Sequence, residues 1–178
     1  PGKLSPVYQP KFDSSTGEIV GGEALMRIKT SDGTLLPPFE HLERVTGEGR
    51  LAAETLAFLD LILADMKMFR AAGHFPVVSV NVPAPVAEEA GFPSTFAAKV
   101  RACGISPSQI TVELTESALP KELAVLVEVL TRLRMAGFGL ALDDFGTGMA
   151  NFDLLRTLPF HELKIDRSLA QAAEHDAL

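Results

Sequence analysis

Apolar positions along this chain fall into two alternating kinds of run. Short stretches rich in Val, Ile and Phe are separated by longer segments in which Leu recurs every three or four residues. The first kind reads as strand and the second as amphipathic helix. Val7 to Phe12 predicts a first strand, interrupted at Pro10, and 14–17 a turn. Glu18 to Ile28 predicts a second strand, in which Gly21 and Gly22 mark a bulge or a close approach of backbones. The short link between the two predicts an antiparallel pair. Pro38 opens a short helix, and Leu51 to Ala72 forms a long one with Leu56, Leu59, Leu63 and Met66 on one stripe and Gly73 as its cap. Val77 to Val82 is an almost continuous apolar strand carrying Asn81, as suits a parallel sheet covered on both sides. A helix over Ser94 to Cys103 leads to a strand over Ile110 to Thr115 with Glu113 inside it. Pro120 to Met135 is the clearest helix, with Leu123, Leu126, Val127, Leu130 and Leu133 as its buried face and Gly137 at its end. Phe138 to Leu142 is a strand that delivers Asp143 and Asp144. Asn151 to Thr157, Glu162 to Asp166 and Ser168 onward predict helix, strand and helix.

Two strands followed by repeated helix–strand units define an α/β class with a mostly parallel sheet. The pattern is that of a TIM-type (β/α)8 barrel modified by an antiparallel first strand. Such a barrel needs eight strands and about 250 residues, whereas six strand segments are legible in 178 residues. The expectation is therefore one domain over 1–178 that lacks the last two strand–helix units. An open doubly wound sheet is the alternative, weakened by the absence of a Gly-rich loop after the first strand. An open barrel would also be expected to expose edge strands and an apolar interior.

Composition narrows the class further. A hydrophobic content of 47% argues against disorder, and a formal charge of −7 argues against a general nucleic-acid binder. One cysteine, Cys103, suits a reducing compartment and reads as a small buried apolar residue. The apolar stretch from Leu56 to Phe69 is broken by Asp60, Asp65 and Lys67, so it cannot span a bilayer cheaply. The expected location is the cytoplasm, with room for a membrane anchor on a longer parent chain.

Candidate chemistry gathers at strand ends. Asn81, Glu113, Asp143 and Asp144 lie at or near the C-terminal ends of predicted parallel strands, where barrel active sites form. Glu23 can reach the same mouth from its own rim. Singly, each acid reads as a cap or a solvated loop residue; together at successive strand ends they suggest a site. Carboxylates plus one amide, without His or Cys, suit Mg²⁺ or Mn²⁺ more than Zn²⁺. Two adjacent aspartates can serve two ions, one bridging and one terminal, a common device for phosphodiester hydrolysis. Lys164 alternates with Leu163 and Ile165, which points it into the barrel. Arg27 shares a strand face with Glu23 and could hold a phosphate or a guanine edge. Glu116 reads as a brace for the neighbouring loop. His41, His74, His161 and His175 lack ligand spacing and read as surface or structural. Asp144-Phe145-Gly146 also occurs in protein kinases, but no kinase Gly-rich loop or catalytic-loop pattern accompanies it.

Tyr8-Gln9-Pro10, Glu23-Ala24-Leu25-Met26-Arg27, Val80-Asn81-Val82, Glu113-Leu114-Thr115-Glu116-Ser117, Asp143-Asp144-Phe145-Gly146-Thr147-Gly148 and Leu163-Lys164-Ile165-Asp166-Arg167 together resemble the EAL-domain motifs, in that family's order. The resemblance implies a bacterial phosphodiesterase that opens cyclic di-GMP to linear pGpG with Mg²⁺ or Mn²⁺, two ions in all, and is inhibited by Ca²⁺. It implies metal ligation by Glu23, Asn81, Glu113 and Asp143, with Asp143 and Asp144 serving the second ion. It implies that Lys164 positions or deprotonates the attacking water. The catalytic set is then Lys164, Glu23 and Asp144. Gln9 and Arg27 would contact the ligand. Glu116 would hold the 144–148 loop, which in that family also links the site to dimerisation.

Two departures accompany the match. Met149-Ala150-Asn151-Phe152 stands where the family has Tyr- or Ser-rich sequence, which would alter dimer coupling. The family's seventh strand also brings a further glutamate to the second ion, and that stretch is not found. The expectation is a fragment or shortened form of a multidomain signalling protein, with cyclic di-GMP as ligand, a homodimer possible and no DNA or RNA polymer as partner. A cyclic di-GMP receptor without turnover, or a regulatory interaction domain, is the competing expectation.

Overall fold

The computed structural model describes residues 2–116, 124–147 and 152–175, with side chains of 152–154 and 173–175 excepted. Its strands are β1 (Lys3–Phe12), β2 (Ile19–Lys29), β3 (Leu35–Leu36), β4 (Val77–Asn81), β5 (Ile110–Thr115), β6 (Gly139–Phe145) and β7 (Glu162–Ile165). Its helices are α1 (Phe39–Gly47), α2 (Leu51–Ala71), α3 (Ala84–Ala87), α4 (Phe92–Ala102), α5 (Ala124–Met135), α6 (Phe152–Thr157) and α7 (Arg167–His175). The expected start of α5 at Pro120, together with Leu123, and the loop positions Gly148, Met149, Ala150 and Asn151 lie outside the described residues.

β1 and β2 pair antiparallel, and β2, β4, β5, β6 and β7 then run parallel in that spatial order. The β1–β2 turn is set by Asp13, whose Oδ1 accepts bonds from the backbone N–H of Ser15 and Thr16 at 2.8 and 2.9 Å. The Gly21–Gly22 pair marks a close approach of backbones, and an irregularity of register adjoins it. A Cβ on Gly21 would lie 2.5 Å from the carbonyl oxygen of Val77 on β4, so only glycine lets the two strands pair there. Lys11 pairs with Gly21 and Phe12 with Ile19, so Val20 is an extra residue on β2 next to that glycine.

The two sheet faces differ in chemistry. Val78, Val80, Val112, Leu114, Leu140 and Leu142 are all at most 1% exposed. All but Leu142 join one core with Phe58, Leu59, Ile62, Leu63 and Met66 of α2 and Leu126, Leu130 and Leu133 of α5. Burying each such side chain contributes about 1.5–3 kcal/mol, and this layer holds the helices to the sheet. The opposite face carries Lys11, Glu23, Ser79, Glu113, Asp143, Glu162 and Lys164, which bond to one another across strands. The apolar interior expected of an open barrel is therefore corrected: the inner face is polar. Strand periodicity explains this, because Ser79 alternates with Val78 and Val80, and Glu113 with Val112 and Leu114. Cys103 caps α4 and is half-buried against the core, not fully buried as expected.

β3 and α3 have no counterpart in the sequence reading. β3 is two residues pairing with Ile28 and Lys29, and α3 is four residues with Pro85 in its first turn. Both are too short to show a repeat of the period that would reveal them.

Candidate active site

Register brings the acids to one level. Gln9 on β1 lies opposite Glu23 on β2, Asn81 on β4 opposite Glu113 on β5, and Thr115 opposite Asp143 on β6. Glu23, Glu113 and Asp143 consequently offer carboxylate oxygens that all lie within 4.8 Å of one another. Lys164, rising from β7, sits among them. Its Nζ donates to Glu23 Oε2 at 2.9 Å, Glu113 Oε2 at 2.9 Å and Asp143 Oδ2 at 2.7 Å. Asn81 joins the rim by donating Nδ2–H to Glu23 Oε1 at 2.7 Å.

Asp144 stands apart from that cluster. It is exposed, and it is the one described non-glycine residue with positive φ, at 56°. Its N–H donates to Asp143 Oδ1 at 2.9 Å, so the turn that displaces Asp144 also fixes Asp143. Partial burial and then the charges of Asp143 and Asp166 push the Asp144 carboxyl above its ordinary range, while Lys164 pulls the other way. Glu116, 1% exposed, accepts from the backbone N–H of Gly146 at 2.7 Å and of Thr147 at 3.2 Å, which pins the next turn of the same loop. Gly146 takes φ 107° there.

Asp144→Asn is expected to raise the melting temperature of the metal-free protein by about 1–2 °C. An amide of the same shape tolerates the left-handed backbone at least as well and removes a charge facing Asp143 and Asp166. Calorimetry checks this, and a lower melting temperature in Asp144→Asn would count against it.

A cleft of about 310 Å³ opens beside the cluster, and Arg27, Asn81, Glu113 and Thr115 line it together with apolar side chains of α1 and α2. Gln9 is exposed on its strand, and Arg27 Nη1 donates to the Met26 carbonyl at 2.8 Å. A larger cleft of about 650 Å³ lies on the outer face between β1, β2 and the end of α2, away from the carboxylates. Chemistry, not size, therefore marks the site.

Three residues beneath the mouth escaped the sequence reading. Lys11, Ser79 and Glu162 form a lower polar layer, with Lys11 Nζ 2.7 Å from Ser79 Oγ, 2.8 Å from Glu113 Oε1 and 2.7 Å from Glu162 Oε1. The available signal was period two, since Lys11 follows Gln9 by two residues and Glu162 precedes Lys164 by two. Burial disfavours the charge on Lys11 and on Lys164, but bonds from the facing carboxylates outweigh it and raise both pKa values above the ordinary 10.5. The stability these cations contribute is thus complete at neutral pH and lost only as pH climbs through the raised values. Of the histidines, His41 pairs with Glu54 at 2.5 Å, and His161 Nδ1 accepts from the Leu140 N–H at 2.9 Å.

The chain belongs to the EAL domain family, whose profile matches residues 1–178. It is 33% identical over 170 residues to the probable cyclic di-GMP phosphodiesterase PdeB of Escherichia coli, covering 94% of this chain and 32% of PdeB. It is 30% identical over 171 residues to MucR of Pseudomonas aeruginosa, a bifunctional diguanylate cyclase/cyclic di-GMP phosphodiesterase, covering 96% of this chain and 25% of MucR. The fold matches the PaMucR phosphodiesterase solved in complex with c-di-GMP, with a TM-score of 0.87 and 30% sequence identity over 98% of this chain and 71% of that one. The chain spans about a third or less of the length of these two curated relatives. Its architecture is the TIM-like barrel of EAL domains with an antiparallel first strand. No helix among the described residues is long and apolar enough to cross a membrane.

Proposed function

We propose that this chain is a cyclic di-GMP phosphodiesterase that releases linear pGpG, acting in the cytoplasm as part of a longer bacterial signalling protein. The observation that carries the proposal is the convergence of Glu23, Glu113 and Asp143 around one cationic position, at the strand ends of a barrel whose relatives are cyclic di-GMP phosphodiesterases. The donor set fits a hard divalent ion: it is all oxygen, it is already arranged about a positive charge, and it is partly shielded from water. Glu23, Asn81, Glu113 and Asp143 would hold one Mg²⁺ or Mn²⁺, and Asp143 with Asp144 a second. When bound, such ions offset charge on phosphoryl oxygens and make water a better nucleophile at neutral pH.

The chain's own residues supply the rest. Arg27 and the apolar walls of the adjoining cleft bind and orient the dinucleotide, with Gln9 on the neighbouring strand. Lys164 orients the attacking water through Nζ, close to the carboxylates that set its position. Glu116 holds the 146–147 turn so that Asp143 and Asp144 keep their spacing.

The test is turnover of cyclic di-GMP with Mn²⁺, following pGpG by chromatography, with Glu23→Ala alongside. Product from the wild type alone is expected. Equal product from Glu23→Ala would sink the site assignment. Saturable binding of cyclic di-GMP without product would replace the phosphodiesterase reading by that of a receptor.

A further inference from the structure

Beneath the carboxylate cluster, the inner face of the sheet carries a second lysine. β1 runs antiparallel to β2 and to the parallel strands beyond it, so its C-terminal end lies under the mouth and brings Lys11 with it. Lys11 shares a cavity of about 300 Å³ with Ser79, Thr111, His161 and Glu162, at the end of the parallel strands opposite the mouth. Its Nζ reaches up to Glu113 Oε1 at 2.8 Å and is itself held by Ser79 Oγ and Glu162 Oε1, each at 2.7 Å. The Glu113 side chain is fully buried, and its other oxygen, Oε2, receives Lys164 from above. One carboxylate is thus gripped by two ammonium groups, one in each layer.

This division of the two oxygens matters for a ligand. A glutamate carboxylate turns freely about its last bond unless something holds one oxygen. Lys11 holds Oε1 downward, which leaves Oε2 as the oxygen that faces the mouth. The outer partner of a ligating carboxylate sets its orientation, and losing such a partner costs about 10–100-fold in metal affinity or activity. The grip is also braced across the whole sheet, because Lys11 on β1 bonds to β4, β5 and β7 at once.

We propose that Lys11 is a positioning residue for the metal centre, fixing Glu113 so that it presents a single oxygen, with Glu162 and Ser79 fixing Lys11 in turn. This rests on the reading of Glu113 as a metal ligand. Lys11 does not touch the dinucleotide; it acts through Glu113.

Mn²⁺ binding to the whole chain, read from the loss of the free-ion signal in electron paramagnetic resonance, tests the assignment independently of turnover. Lys11→Met is expected to bind Mn²⁺ about 10–100-fold more weakly than the wild type, and Lys11→Arg to recover part of that loss. In turnover assays the Mn²⁺ needed for half-maximal rate rises by a similar factor, while KM for cyclic di-GMP stays near its wild-type value. Circular dichroism and melting curves establish that each variant is folded. Should Lys11→Met not fold, Glu162→Gln serves: it loosens Lys11 without removing it, and a severalfold weakening of Mn²⁺ binding is expected. Wild-type Mn²⁺ affinity in whichever of these variants is folded overturns the role of Lys11, while leaving the metal site standing. Failure of the wild type to bind Mn²⁺ overturns the metal reading itself and this inference with it.

Discussion

Asp143→Ala lowers cyclic di-GMP turnover by about a thousandfold or more, while leaving the metal-free fold intact. A divalent ion contributes several kcal/mol of transition-state charge stabilisation, and each 1.4 kcal/mol is about tenfold in rate. Removing Asp143 takes away one of the three converging carboxylates and the residue proposed to serve both ions. The fold survives because Lys164 keeps two partners, Glu23 and Glu113, each at 2.9 Å. Asp143 has a second task, accepting the Asp144 N–H through Oδ1 at 2.9 Å. Asp143→Asn separates the two, since an amide oxygen can still accept that bond but carries no charge. Both variants are expected to be inactive by pGpG chromatography with Mn²⁺. Turnover within tenfold of wild type in Asp143→Asn would show that the charge is dispensable, and the metal reading would fail.

What the sequence made legible follows from which physical signal each feature leaves. The parallel strands announced themselves because their outer faces must be apolar to hold α2 and α5, as with Val78, Val80, Val112 and Leu114. The placement of Glu23, Glu113 and Asp143 at neighbouring strand ends was legible for the same reason, as polar exceptions inside apolar runs. Lys11 left no such mark. It sits between Pro10 and Phe12 on an edge strand, where a charged residue ordinarily faces solvent. Its inward direction follows only from sharing parity with Gln9, and its depth follows only from the antiparallel sense of β1. Ser79 was hidden in the almost continuous apolar run from Val77 to Val82, where a single small hydroxyl barely interrupts the pattern. β3 and α3 are set by tertiary contact and turn geometry rather than by a repeating pattern. The displacement of Asp144 from the cluster depends on a single backbone angle, φ 56°, which no spacing rule encodes.

Lys164→Met makes the fold depend on a metal ion. Glu23, Glu113 and Asp143 bring oxygens within 4.8 Å of one another, and their side chains are at most 17% exposed. At an effective dielectric constant of about 20, each such pair repels by roughly 3–4 kcal/mol. In the metal-free chain the Lys164 ammonium offsets that repulsion from the middle of the three. Breaking a buried ion pair by removing one partner costs about 3–5 kcal/mol. For a domain of this size that corresponds to a fall of about 10 °C in melting temperature. Methionine keeps the length and most of the packing of the lysine stem, so the loss reports the charge. Mn²⁺ binding then returns the missing positive charge, and stabilisation by a ligand grows with its concentration over Kd. The gap between wild type and Lys164→Met is therefore expected to narrow steeply as Mn²⁺ is added, because in the wild type the ion competes with Lys164 for the same oxygens. Turnover does not return with stability, since no Nζ remains to orient the attacking water. A gap that Mn²⁺ leaves unchanged would mean that the three carboxylates are not where the ion binds. Restored stability with full turnover would keep the metal site and remove Lys164 from the reaction.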